Sequence, residues 1–210
     1  MAAIASAHKY NVVSCSSHAI ETGIVDVNAY DAVDLVLGLE KYAANQTRYY
    51  KTFAPVMKNT LTRYLANGGK LRVSGAYVGS AYAETGDTGR EWLARSLHVC
   101  WDGTAKTGSL NGISGLGVNG IGIYDTPNAD HYCVQSADKL SPAPGAFTAM
   151  LYADGSPAAV GFDGSQASDE MGYQPKPSRT FVMGFPLESI TDRLTQANIM
   201  RGIMTFLMDK

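Results

Sequence analysis

Five residues carry the chemistry that this chain could do: Glu40, Ser74, Tyr77, Ser80 and Glu188. The run Lys70-Leu-Arg-Val-Ser-Gly-Ala-Tyr-Val-Gly-Ser-Ala-Tyr82 reads as a short apolar strand, a tight glycine-containing turn and a helix start. In an open α/β sheet, ligands and catalytic groups gather at the carboxyl ends of strands. A nucleophile would therefore stand between Gly75 and Ser80. The Gly-x-Ser-x-Gly signal that would make Ser80 that nucleophile does not occur. We favour a hydroxyl that bonds the turn backbone, and we read Ser74 as a strand-end residue. Glu40 and Glu188 also fall at strand ends. Two carboxylates in one cleft could do acid-base work on a sugar. Glu188, however, precedes a helix start, where the dipole stabilises a carboxylate without any catalytic role.

Other chemistries find little support. His8, His18, His98 and His131 show no metal-ligand spacing. Asp125, Asp130 and Asp163 lie in glycine-rich loops, but no Asp-x-Asp-x-Asp-Gly calcium loop is present. Gly115-Leu-Gly-Val-Asn-Gly120 matches a dinucleotide fingerprint only in part and opens no predicted helix. No metal or cofactor is expected. The three cysteines, Cys15, Cys100 and Cys133, form no CxxC pair. They read as buried free thiols, with a Cys100–Cys133 disulfide as the lesser reading. Loop aromatics (Tyr42, Tyr49, Tyr50, Trp101, Tyr132, Tyr173) could stack on sugar rings or pack in the core.

The elements that must position these residues follow from hydrophobic spacing. Ala2 to Lys9 looks helical, and Tyr10 to Ser14 looks like a strand. An α/β domain normally opens on a strand, so a first strand is expected to be missing or supplied from upstream. Ala32 to Leu39 is a near-continuous apolar run, which suits a strand covered on both faces. Residues 41 to 51 read as a loop. Phe53, Val56, Met57, Leu61, Tyr64 and Leu65 form one stripe at helical period, which Asn67-Gly68-Gly69 ends. Leu71 to Ser74 then resumes as a strand, giving a βαβ unit with a right-handed crossover. Thr88 and Glu91 have capping-box spacing for a helix to about Leu97 that buries Trp92 and Leu93.

From Val99 to Asp163, short β-prone pieces alternate with glycine-rich turns, and Asp154-Gly155 is a hairpin signal. This reads as a β-rich insertion. Residues 165 to 178 read as a loop. Arg179 to Phe185 is the last core strand. The closing helix runs from about Ile190 to Met208, with Leu194, Ala197, Met200, Ile203, Met204 and Leu207 on its buried stripe. Ser189 and Asp192 have N-cap and N3 spacing.

The order of these segments resembles a known family. Tyr30 to Glu40, Ala66 to Ser80 and Val182-Met-Gly-Phe-Pro-Leu-Glu-Ser-Ile190 before a closing helix look like the α/β domain of secreted Bacteroidetes proteins labelled xanthan lyase-like. That domain resembles the class I glutamine amidotransferase (flavodoxin-like) fold. The resemblance covers most of residues 10 to 210, less well from 99 to 163. In the amidotransferases a cysteine nucleophile sits in Gly-x-Cys-x-Gly. The matching run here is Gly75-Ala-Tyr-Val-Gly79, with Tyr77 in the nucleophile position. The His-Pro-Glu of a later strand corresponds to Pro186-Leu-Glu188, which leaves only the acid. Acyl transfer needs a nucleophile activated by a base. A tyrosine with its ordinary pKa of about 10 is a poor one at neutral pH. The amidotransferase triad is therefore not found.

Length and charge set the outer bounds. The 210 residues, 45% of them hydrophobic, suit one domain. The net charge of -2 leaves no electrostatic footprint for nucleic acid. No run approaches the roughly 18 apolar residues of a membrane span. Met1 to His8 makes no convincing signal peptide, so an export signal would lie upstream. The expectation is thus one α/β domain over 1–210, a mostly parallel central sheet flanked by helices, with its β-rich insertion at about 99–163. The expected function is a non-catalytic accessory or scaffold domain of a secreted, carbohydrate-associated bacterial protein, extracellular or periplasmic. Its partners would be neighbouring domains and polysaccharide. The alternatives are a carbohydrate-active hydrolase or lyase in the cleft near Tyr77, and a module that packs against another domain or subunit.

Overall fold

A computed structural model describes residues 10–41, 52–83, 86–166 and 176–208. The expected helix at Ala2–Lys9, most of the loop at 41–51, and Tyr42, Tyr49, Tyr50 and Tyr173 lie outside the described residues. In chain order the elements are α1 (Ser17–Glu21), β1 (Val33–Gly38), α2 (Pro55–Ala66), β2 (Lys70–Gly75), α3 (Ser80–Ala83) and α4 (Asp87–Trp92). Then come β3 (Val99–Lys106), α5 (Thr107–Leu110), β4 (Ile113–Gly115), β5 (Val118–Ile121), β6 (Ser136–Pro142), β7 (Ala146–Leu151), β8 (Pro157–Asp163), β9 (Arg179–Met183) and α6 (Arg193–Met208).

The sheet corrects the fold expectation. It is a seven-stranded mixed sheet in the order β1-β2-β9-β8-β7-β4-β5, curled into a half-barrel, with β3 and β6 as a separate antiparallel pair. Only β1, β2 and β9 run parallel. Beyond β9, the pairings to β8, β7, β4 and β5 are all antiparallel. The molecule is mostly β, and not a parallel central sheet flanked by helices. The segment read as an insertion, 99–163, instead supplies four of the seven strands. The physical reason is local. A short apolar run carries no direction. Direction comes from the connection, and the turn at Asp154-Gly155, with Gly155 at φ +79°, is too short for anything but an antiparallel return.

The parallel trio matches its sequence pattern better. α2 begins with Pro55 at its first position, where the missing N–H costs nothing. It buries Met57, Leu61, Tyr64 and Leu65, while Val56 of the expected stripe is exposed. Gly68 at φ +84° ends it. β2 and β9 are buried through nearly their whole length. β1 is not: it is an edge strand with Val36 exposed, whereas the sequence suggested cover on both faces.

One apolar cluster, including Leu35, Leu61, Leu71, Val73, Leu93 and Val182, packs the sheet under α2 and the π-helical turn Leu93–Leu97 that extends α4. A second, including Phe181, Met183, Ile199 and Ile203, packs it under α6. α6 starts three residues later than expected, and Leu194 is exposed. Arg72 of β2 is buried opposite Asp34 of β1, with Nη1 2.5 Å from Oδ1. No helix among the described residues is long and apolar enough to cross a membrane.

Candidate functional site

The turn after β2 keeps the backbone shape that its glycines suggest. Residues 76–79 form the turn and α3 begins at Ser80. A β-carbon on Gly75 would lie 2.9 Å from Leu37 Cβ, and one on Gly79 would lie 2.8 Å from Leu140 Cδ2. Gly75 is therefore required by close approach, and Gly79 gives Leu140 and Trp101 room to pack. The backbone amides of Gly79 and Ser80 converge on one oxygen atom, at 2.6 and 3.0 Å. Successive amides aimed at one point make an anion-binding concavity, the arrangement that stabilises an oxyanion in acyl transfer.

That point is already taken by the chain itself. The oxygen is Oδ2 of Asp138, from β6, and its Oδ1 accepts from the Trp101 indole of β3 at 3.0 Å. Asp138 is 1% exposed. Burial pushes its carboxyl up to about 6, against the hydrogen bonds from Ser80, Gly79 and Trp101, which pull it down. The backbone of Asp138 is tied as well: its N–H donates to Gly184 beside β9, and its carbonyl accepts from the Tyr152 hydroxyl.

The five sequence candidates do not converge. Ser74 and Ser80 are buried, and their hydroxyls have no hydrogen-bond partner among the described residues. The turn-bonding expected of Ser80 is thus not observed. Tyr77 is half-buried; its hydroxyl lies 3.3 Å from Ser136 Oγ, and the Lys41 ammonium sits 5.3 Å from its ring centre. Glu40 is half-buried, its carboxyl raised by burial and then by the charge of Glu21. Glu188 belongs to another group. Its Oε1 accepts from the Tyr132 hydroxyl at 2.7 Å. Burial, and then the hydrogen bond to Glu188 and its charge, hold the Tyr132 phenol well above the ordinary tyrosine range. A cleft of about 390 Å³ opens beside this pair, lined also by Asp130, His131, Arg193 and Gln196. Gly38, at the end of β1, backs onto it: a β-carbon there would lie 3.5 Å from Glu188 Oε1.

The segment from Asp130 to Asp138 therefore dresses the carboxyl ends of all three parallel strands. Tyr132 covers the ends of β1 and β9, and Ser136 and Asp138 cover the end of β2. Sequence reasoning missed Asp138. Its signal was available, because Asp138 is in phase with the buried Leu140 two residues on, and a carboxylate on the buried face of a strand needs donors.

Other expectations are corrected too. The cysteines are all free, with Cys15 and Cys100 exposed rather than buried. The cap of α6 is made by Asp192, which accepts from Thr195 N at 2.7 Å, while Ser189 bonds the Pro186 carbonyl. Among the described residues, no group of His, Cys, Asp and Glu side chains could hold a metal ion.

No family model matches the chain, and no curated protein does. Solved structures do. A cytoplasmic protein, STM3548, from Salmonella typhimurium is similar over 96% of this chain and 83% of its own, with 12% identity and a TM-score of 0.57. The mmIFT52 N-terminal domain is similar over 99% of this chain and 88% of its own, with 11% identity and a TM-score of 0.54. A beta-galactosidase from Bacillus circulans sp. alkalophilus aligns over 86% of this chain and 23% of its own, with 14% identity and a TM-score of 0.47. At these identities the chain shares an overall fold with the first two.

Proposed function

We propose that this chain is a non-catalytic accessory or scaffold domain of a secreted, carbohydrate-associated, xanthan lyase-like bacterial protein, working outside the cytoplasm beside other domains of the same polypeptide. The observation that carries the non-catalytic half of this reading is the Asp138 carboxylate seated on the Gly79 and Ser80 amides. A substrate oxyanion would have to displace a buried, triply hydrogen-bonded carboxylate from the place it needs. The nearby hydroxyls of Ser74 and Ser80 are buried without a hydrogen-bond partner among the described residues, and the carboxylate beside Ser80, that of Asp138, is engaged by the Gly79 and Ser80 amides and the Trp101 indole. The scaffold half is supported by β1, an edge strand of the sheet with Val36 exposed and Leu39 exposed just beyond its end. The carbohydrate setting rests on the family resemblance of the three sequence segments.

The test is incubation of the purified protein with xanthan and a panel of neutral and uronate polysaccharides. New reducing ends and the ultraviolet absorbance of unsaturated sugars would be followed. No turnover is expected. Turnover that Tyr77→Phe or Ser80→Ala abolishes would establish the alternative, a hydrolase or lyase at the elbow.

A further inference from the structure

We propose that the cleft between Tyr132, Glu188 and Arg193 binds a neutral saccharide unit. The inference rests on the accessory-domain reading in one respect, the kind of polymer offered; the ligand class follows from the cleft itself.

Position is the first argument. The cleft lies beyond the carboxyl ends of β1 and β9, against Gly38 on one side and the turn after β9 on the other. Strand carboxyl ends are where parallel sheets hold their ligands. Unlike the elbow at the end of β2, this place is open.

The hydrogen-bonding inventory is the second. The Tyr132 hydroxyl donates to Glu188 Oε1, which leaves Glu188 Oε2 and the phenol oxygen as acceptors. The high-lying phenol keeps that donor at neutral pH. Gln196 donates from Nε2 to the carbonyls of Glu188 and Ile190, so its Oε1 is what it has left to offer. Arg193 is exposed and makes no hydrogen bond or ion pair among the described residues, which leaves its guanidinium donors for a ligand. Three acceptors and the donors of one guanidinium therefore line the same cleft. A sugar hydroxyl is both donor and acceptor and satisfies such a set.

Charge disfavours an anion: Asp130 and Glu188 outnumber Arg193 around the cleft and oppose a phosphate or a uronate. Tyr132, 39% exposed, and His131 bring aromatic rings to the cleft, the kind of flat surface that a pyranose ring packs on beside its hydroxyls.

The experiment is a two-dimensional amide NMR titration of the whole chain with cellobiose, mannobiose, glucuronate and inorganic phosphate. Shifts are expected with a neutral disaccharide at His131, Tyr132, Glu188 and Gln196. Glu188→Gln and Arg193→Ala should each weaken binding about tenfold, the loss of one charged hydrogen bond. Arg193 is exposed, so its variant keeps the fold and its result is readable even if Glu188→Gln is damaged. Overturning results are no shift with either disaccharide, shifts that Arg193→Ala leaves unchanged, or stronger binding of glucuronate or phosphate. Binding accompanied by cleavage would refute the accessory-domain reading and leave the cleft standing. No binding and no cleavage would refute the cleft alone.

Discussion

The end of β2 and the end of β9 each present a carboxylate, and the two have opposite fates. Asp138 is turned onto backbone amides and an indole and is buried. Glu188 is turned toward a tyrosine at the rim of an open cleft. The difference lies in what surrounds them. At the elbow, Gly79 allows Leu140 and Trp101 to press close, and the carboxylate is buried against them. After β9, Arg193 and Gln196 leave room. The same chemical group can hold a fold together or await a ligand, and burial with donors decides which.

That comparison can be broken most severely at Asp138. Asp138→Ala strands two backbone amides and the Trp101 indole without acceptors. Each buried unsatisfied donor costs about 1–3 kcal/mol, so a loss of at least about 3 kcal/mol is expected in urea unfolding. A loss below about 1 kcal/mol would show that the elbow is not held this way. Glu188→Gln should by contrast cost less than about 1 kcal/mol, since its partner is half-exposed.

Acid sharpens the contrast. The folded-state pKa of Asp138, about 6, is raised above its unfolded value of 3.8. The folded state therefore binds this proton more tightly. Its contribution is fully present below about pH 4 and is lost as pH rises through about 6, a swing of about 3 kcal/mol. His98 works against it. Stacked on Phe162, it is lowered by burial to about 4, so its contribution is present above 6.5 and lost as pH falls toward 4. Wild type should look nearly flat between pH 4 and 6.5. Asp138→Asn should expose an acid-labile slope in chemical denaturation across that window. A wild type and a variant with the same slope would refute the titration.

Smaller effects test the geometry around the elbow. Gly79→Ala drives a methyl against Leu140 and Trp101 and should cost about 1–3 kcal/mol. Ser80→Ala removes a buried hydroxyl that has no partner among the described residues, and stability should stay within about 0.5 kcal/mol or rise. A larger loss, seen in the same unfolding experiment, would mean that Ser80 is bonded after all.

Much of the local structure was legible. The helix that buries Met57, Leu61, Tyr64 and Leu65, the glycine stop after it, and the hairpin at Asp154-Gly155 form where spacing places them, because helix period, left-handed caps and tight turns are properties of a few adjacent residues. The elbow was legible as a turn, whereas Glu188 lies in the 3-10 turn Leu187–Ser189, five residues beyond the end of β9. The partners of both were not legible. Tyr132 lies 56 residues from Glu188, and Asp138 lies 59 from Gly79. No local pattern encodes such pairs.

The sequence alone thus determined α2 with its glycine stop, the strands β2 and β9 and the Asp154-Gly155 turn, and that the elbow lacks a cysteine or activated serine; the strand expected at Tyr10 to Ser14 does not form. Only the tertiary structure decided that β8, β7, β4 and β5 join β9 antiparallel, that Asp138 fills the elbow, and that Glu188 faces a cleft. The reason is range. Backbone preference and hydrophobic period act over a few residues. Strand direction, burial of a carboxylate and the closing of a cleft are set by segments that meet only when the sheet has formed.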